Sequence, residues 1–182
     1  MTSKILITGP PKCGKSTLIS KLIEHYSKKN YIVRGFTTPE IKEKNNRIGF
    51  DIFDIFSGKK GKLARIGSYK TRFKLGKYSI FIEEFEEMIK ESLENLISSS
   101  ETAKPVDLIC LDEIGKMELF SEKFQALIKK LFQSNISIIA TIGQKIQHPV
   151  KDYILNLPGV FLFNLTRQNQ QMIYDKIVSL IS

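Results

Sequence analysis

Apolar positions along the chain change their period several times, and each change marks an element. Residues 5–7, Ile-Leu-Ile, form a short continuous apolar run of the kind that fills a strand buried on both faces. Leu18, Ile19, Leu22 and Ile23 then recur at helical spacing and predict a helix over 15–28, followed by a second strand over 31–37. Between 39 and 79 the segments shorten and turn residues multiply. The runs 40–43 and 47–56, with Lys44-Asn45-Asn46 and Ser57-Gly58 as turns, predict an antiparallel meander. Over 83–99, Phe85, Met88, Ile89, Leu93, Leu96 and Ile97 share one helical face, while Glu83, Glu84, Glu86, Glu87, Glu91 and Glu94 make the rest acidic. A polar linker over 98–104 leads to the apolar run 106–111, which is expected to be a buried parallel strand ending at Asp112-Glu113. Helix 121–133, strand 136–142, helix 149–156, strand 160–165 and helix 167–181 complete the chain. This alternation predicts an α/β fold: a mainly parallel sheet with helices on both faces and the meander inserted into it.

The 182 residues, 42% of them hydrophobic, suit one domain with one ordinary core. A net charge of +9 favours anionic partners without choosing among nucleotide, nucleic acid and membrane surface. Cys13 and Cys110 are the only cysteines and lack metal-ligand spacing, so a reduced, intracellular protein is expected. No run approaches the roughly 20 apolar residues of a membrane span, and the chain enters its first strand without a signal peptide. The expectation is therefore a soluble, cytoplasmic monomer with no membrane partner.

Candidate chemistry begins at the first loop. Gly9, Gly14, Lys15 and Ser16 satisfy G-x-x-x-x-G-K-[ST], and the pattern stands where its chemistry requires, between an apolar strand and a helix. Backbone N–H groups of such a loop wrap a polyphosphate, and the following helix offers unpaired donors and the positive end of its dipole. Lys15 is placed to reach the β- and γ-phosphates, and Ser16 to offer its hydroxyl to Mg²⁺. Asp112 and Glu113 supply the second half of a nucleoside-triphosphate site at another strand's carboxyl end. Asp112 suits the magnesium shell, and Glu113 suits the orientation or deprotonation of an attacking water.

Water is then the phosphoryl acceptor. Two alternatives stay open: a kinase that transfers the γ-phosphoryl to a nucleotide, nucleoside or RNA end, and an RNA-binding protein switched by nucleotide. Both draw on residues 57–79, where Lys59, Lys60, Lys62, Arg65, Lys70, Arg72, Lys74 and Lys77 meet no Asp or Glu and alternate with Tyr69, Phe73 and Tyr78. Arg47 and Arg65 are the candidates for the charge that develops on the γ-phosphate. His25 and His148 stand alone and read as structural or merely exposed.

With these residues assembled, the chain resembles the cancer-related nucleoside-triphosphatase family, the small P-loop NTPases first noted in thermophiles. The resemblance is carried by G-P-P-K-C-G-K-S-T at 9–17, G-F-T-T-P-E-I at 35–41, R-I-G-F-D-I at 47–52 and D-E-I-G-K-M-E-L-F-S at 112–121. A-T-I at 140–142, His148-Pro149 and L-P-G at 157–159 extend it. It implies a RecA-like P-loop fold, Mg²⁺ dependence and slow hydrolysis of ATP, GTP, CTP and UTP without strong base preference. It implies nucleotide contacts from Gly9, Pro10, Pro11, Lys12, Cys13, Gly14, Lys15, Ser16 and Thr17, and from Leu108, Ile109, Cys110, Leu111, Asp112, Glu113, Ile114 and Gly115. Lys15, Glu113 and Lys116 are the catalytic candidates, and Ser16 and Asp112 the metal candidates. Two departures from the family pattern stand out. Lys12 replaces a usual glycine at a position whose backbone favours positive φ, and Gln170 replaces a frequent arginine beside the retained Thr166 and Asn169.

Overall fold

The computed structural model describes residues 2–97 and 105–181, so the linker expected over 98–104 lies outside the described residues. Strand β1 (Lys4–Thr8) runs into a loop and helix α1 (Lys15–Lys28), then strand β2 (Val33–Thr37). The inserted segment is β3 (Glu40–Glu43), β4 (Asn46–Asp54), β5 (Lys60–Ile66), β6 (Phe73–Leu75) and β7 (Tyr78–Ile80). Helix α2 (Ile82–Leu93) follows, with a 3₁₀ turn at Glu94–Leu96. The remainder is β8 (Leu108–Ile114), a 3₁₀ turn (Glu118–Phe120), α3 (Glu122–Gln133), β9 (Ser137–Ile142), α4 (Pro149–Leu155), β10 (Val160–Asn164) and α5 (Gln170–Leu180). Ser121 caps α3 by accepting the amide of Phe124, and Pro149 opens α4 after His148, whose ring nitrogen accepts the amide of Val150.

The strands form one sheet in the order β10-β1-β9-β8-β2-β4-β5-β7-β6, with β3 on β4. From β10 to β2 every pairing is parallel; from β2 onward every pairing is antiparallel. The insert is therefore an extension of the same sheet, joined where Phe36 and Thr37 of β2 pair with Asp54 and Phe53 of β4. Alternate residues of each parallel strand feed opposite cores. Leu6, Ile109, Leu111, Ile138 and Ala140 pack with α2, α3 and α4, whereas Ile5, Ile7, Leu108, Cys110 and Ile139 pack with α1 and α5. Phe36 fixes two of those helices against β2, its ring 5.7 Å from both Phe85 and Phe124.

One boundary differs from expectation in a way that matters for the site. Strand β8 does not end at Asp112-Glu113; it continues to Ile114, which pairs with Ile142 after a register shift. Asp112 is held by pairing with Thr37 of β2, Glu113 lies at the register shift, and the peptide bond between them is cis. Among the described residues no helix is long and apolar enough to cross a membrane.

Candidate functional site

The parallel strands β1, β2, β8 and β9 all deliver their carboxyl ends to one cleft of ≈ 930 Å³. Residues 9–17 form one wall. Gly9 has φ 155°, and a side chain there would collide with the Leu165 carbonyl and sit 2.9 Å from Cys13 Sγ, so glycine is required for the chain to turn off β1. Lys12 has φ 61°, within the left-handed region that the usual glycine would occupy without strain. Gly14 precedes the first turn of α1, which has no side-chain cap and no acidic residue, so its amides are open to an anion. Lys15 Nζ donates to the carbonyls of Gly9 (3.0 Å) and Pro10 (3.1 Å), lying across the loop it is expected to share with phosphate.

The loop is also held from behind. Gln170 Nε2 donates to the Cys13 carbonyl at 2.8 Å, and its side chain crowds Gly14. Asn169 shapes the approach to Gln170 by accepting the Thr166 amide (2.8 Å) and donating to the Asn164 carbonyl (3.0 Å). The position where an arginine is frequent thus carries an amide that buttresses the phosphate loop.

Opposite the loop stands the acidic end of β8. Asp112 is buried, and its Oδ1 accepts the Thr141 hydroxyl at 2.5 Å. Thr38 donates to the Asp112 carbonyl at 2.8 Å, which ties the end of β8 to the chain leaving β2. Burial and the neighbouring Asp112 push the Glu113 carboxyl above the ordinary range, partly offset by the Lys15 ammonium. Glu118 is the less expected member. It is only 3% exposed, and burial together with the Glu113 charge pushes its carboxyl up to about 8. Gly115 separates these two: a Cβ there would collide with Glu118 Oε2 and lie 2.9 Å from Glu113 Oε1. Lys116 is exposed and lines the cleft.

Of the expected contact residues, Gly9, Pro11, Lys12, Gly14, Lys15, Ser16, Thr17, Asp112, Glu113 and Lys116 line the cleft. Leu108, Ile109, Cys110, Leu111 and Ile114 are wholly buried, so their side chains serve to anchor the strand that carries Asp112 and Glu113. Cys13 is also buried, and burial pushes the Cys110 thiol well above its usual range. The two candidate arginines separate. Arg47 lines the cleft, whereas Arg65 is tied to Asp51 and to the carbonyls of Phe50 (2.7 Å) and Ala64 (2.8 Å). The acidic helix also ties down part of the basic segment: Lys59 forms an ion pair with Glu91 at 2.5 Å, and the backbone amide of Lys62 donates to Glu84 at 2.9 Å. Thr141, Gln170 and Glu118 lie in or beside segments that carry the family resemblance, but no motif announced that they would meet Asp112, the phosphate loop and the surroundings of Glu113.

Comparison with known proteins is consistent over nearly the full chain. A family profile described as NTPase matches residues 4–178. The nucleoside-triphosphatase THEP1 of Thermotoga maritima is 39% identical over 178 residues, which cover 98% of this chain and 95% of that protein. The cancer-related nucleoside-triphosphatase homolog of Mus musculus is 36% identical over 189 residues, covering 100% and 97%. Among solved structures, THEP1 of Aquifex aeolicus superposes with a TM-score of 0.83 at 34% identity, covering 98% of this chain and 99% of that one. A human cancer-related nucleoside triphosphatase gives 0.81 at 32% identity, covering 100% and 98%.

Proposed function

The chain belongs to the NTPase family, and from that premise we propose that it is a Mg²⁺-dependent nucleoside-triphosphatase that releases diphosphate and phosphate. The observation that carries the reading is the convergence of Lys15, Ser16, Asp112 and Glu113 on one cleft at the carboxyl ends of the parallel strands. The 9–17 loop contacts the polyphosphate, which is common to ATP, GTP, CTP and UTP, so base selectivity is low. Lys15 neutralises phosphate oxygens. Glu113 orients the attacking water and takes its proton, and the raised affinity of that carboxyl for a proton suits a general base.

The oxygens present fit a magnesium ion. Mg²⁺ keeps several waters and takes one or two protein oxygens beside the substrate phosphates, so no cluster of three protein ligands is needed. The Ser16 hydroxyl and the Asp112 carboxylate, with Thr141 fixing one Asp112 oxygen, supply hard donors on facing walls of the cleft. Bound there, the ion would neutralise charge on the phosphates. The whole chain acts as one domain and as a monomer in this reading, in the cytoplasm.

The test is phosphate release by the purified chain from each of the four Mg-nucleotides, with and without chelator, in wild type and Glu113→Gln. A positioned base contributes roughly 10²–10⁴ in rate, so kcat should fall at least about tenfold in the variant while Kd for Mg-nucleotide moves much less. Near-native turnover in Glu113→Gln would remove the base from this scheme, and no nucleotide-dependent phosphate release from wild type would remove the function.

A further inference from the structure

The cleft presents more than phosphate-binding groups. Its volume of ≈ 930 Å³ lies near the upper end of small-molecule sites, roughly 300–1,000 Å³. The phosphate loop follows β1, and on the far side of β8 from it the sheet continues into β2 and the insert, whose Phe50, Leu63 and Leu75 line the cleft together with Met117 and Ile146. Three of these come from the insert, which brings one cation with it. Arg47 is held by Tyr78, whose hydroxyl accepts from Nε at 3.0 Å, and by Glu40, which accepts from Nη1 at 2.8 Å. Its guanidinium lies 5.1 Å from the centre of the Phe50 ring, and Nη2 has no hydrogen-bond partner among the described residues.

A water nucleophile gains nothing from an apolar wall or from a cation fixed beside an aromatic ring. An organic acceptor gains from both. A planar body packs against Phe50 and Leu75, an anionic group meets the free edge of Arg47, and a hydroxyl between them faces Glu113. We propose that this far side of the cleft is a second-substrate subsite and that its occupant is a nucleoside 3′-monophosphate with a free 5′-hydroxyl, which accepts the γ-phosphoryl group. The proposal rests on the nucleotide site described above, with water as acceptor when the subsite is not filled. In the transfer, Glu113 takes the 5′-hydroxyl proton and the 5′-oxygen bonds to the γ-phosphorus. The bond from that phosphorus to the β–γ bridging oxygen breaks, and its electron pair leaves on the nucleoside diphosphate. The products are a nucleoside 3′,5′-bisphosphate and a nucleoside diphosphate.

The experiment incubates the purified chain with Mg²⁺, ATP labelled at the γ-phosphate, and each of the four nucleoside 3′-monophosphates in turn, and separates labelled bisphosphate from labelled phosphate. Unphosphorylated adenosine and inorganic phosphate alone are the comparison arms. Labelled bisphosphate from at least one of the four, with at least about tenfold less transfer to adenosine, is the expected result. Two variants follow the ratio of transfer to hydrolysis. Arg47→Gln removes the cation, and Leu75→Glu sets a repelling charge in the half-buried wall; each should lower that ratio at least about tenfold. Phosphate release without transfer to any of the four overturns the inference and leaves the hydrolase standing. Transfer without acceptor-free phosphate release keeps the inference and removes the hydrolase reading, while neither product removes both. An equal loss of transfer and hydrolysis in both variants also overturns the subsite.

Discussion

Glu118 offers a magnitude that can be worked from the structure, because the fold opposes its ionisation. Its carboxyl is 3% exposed and shifts from 4.5 to about 8, through burial first and the Glu113 charge second. The sign follows from proton counting. Below the unfolded value both states hold the proton, and stability does not depend on this group. Between 4.5 and about 8 the unfolded chain releases the proton and the folded chain keeps it, so stability falls as pH rises. Above about 8 the folded carboxyl has ionised too, and the penalty is constant. At about 1.36 kcal/mol per pK unit the whole interval gives an upper value of about 5 kcal/mol. Relaxation of the site and entry of water reduce it. Glu118→Gln keeps the shape and cannot ionise. Denaturant unfolding of both proteins at fixed ionic strength, between about pH 5 and pH 9, should show the variant gaining at least about 2 kcal/mol on wild type toward the alkaline end. Parallel profiles that stay within about 0.5 kcal/mol of each other would refute the argument that Glu118 is a buried, proton-retaining carboxyl.

Three further outcomes are expected. Lys15→Ala should weaken nucleotide binding and turnover together, because the ammonium meets phosphate in ground and transition states alike; calorimetric Kd beside kcat checks this. Asp112→Asn should raise the Mg²⁺ concentration needed for half-maximal turnover before it affects nucleotide affinity, and a metal titration reads that directly. Gln170→Ala should raise Kd for nucleotide about fivefold, the value of one neutral hydrogen bond of about 1 kcal/mol, by releasing the Cys13 carbonyl that steadies the phosphate loop.

What the sequence determined about this protein is local. The helix after the phosphate loop spans 15–28 by periodicity and Lys15–Lys28 in the structure, because its apolar spacing and the glycine before it are both near neighbours in the chain. The Gly-Lys-Ser motif, the apolar strand that leads to Asp112 and Glu113, and the meander between 39 and 79 were legible for the same reason. Periodicity reports which face of an element is apolar; it carries no information about which element will cover that face. Gln170 reaches Cys13 across 157 residues, and Thr141 reaches Asp112 across 29. Glu118 acquires its proton affinity only because a 3₁₀ turn buries it beside Glu113. Arg47 and Arg65 look alike as charges, but pairing between β4 and β5 locks Arg65 onto Asp51, while Arg47 is left on the side of the sheet that closes the cleft. The strand pairing that joins the insert to β2 is likewise long-range, and it alone decides that an antiparallel extension becomes the far wall of the nucleotide site.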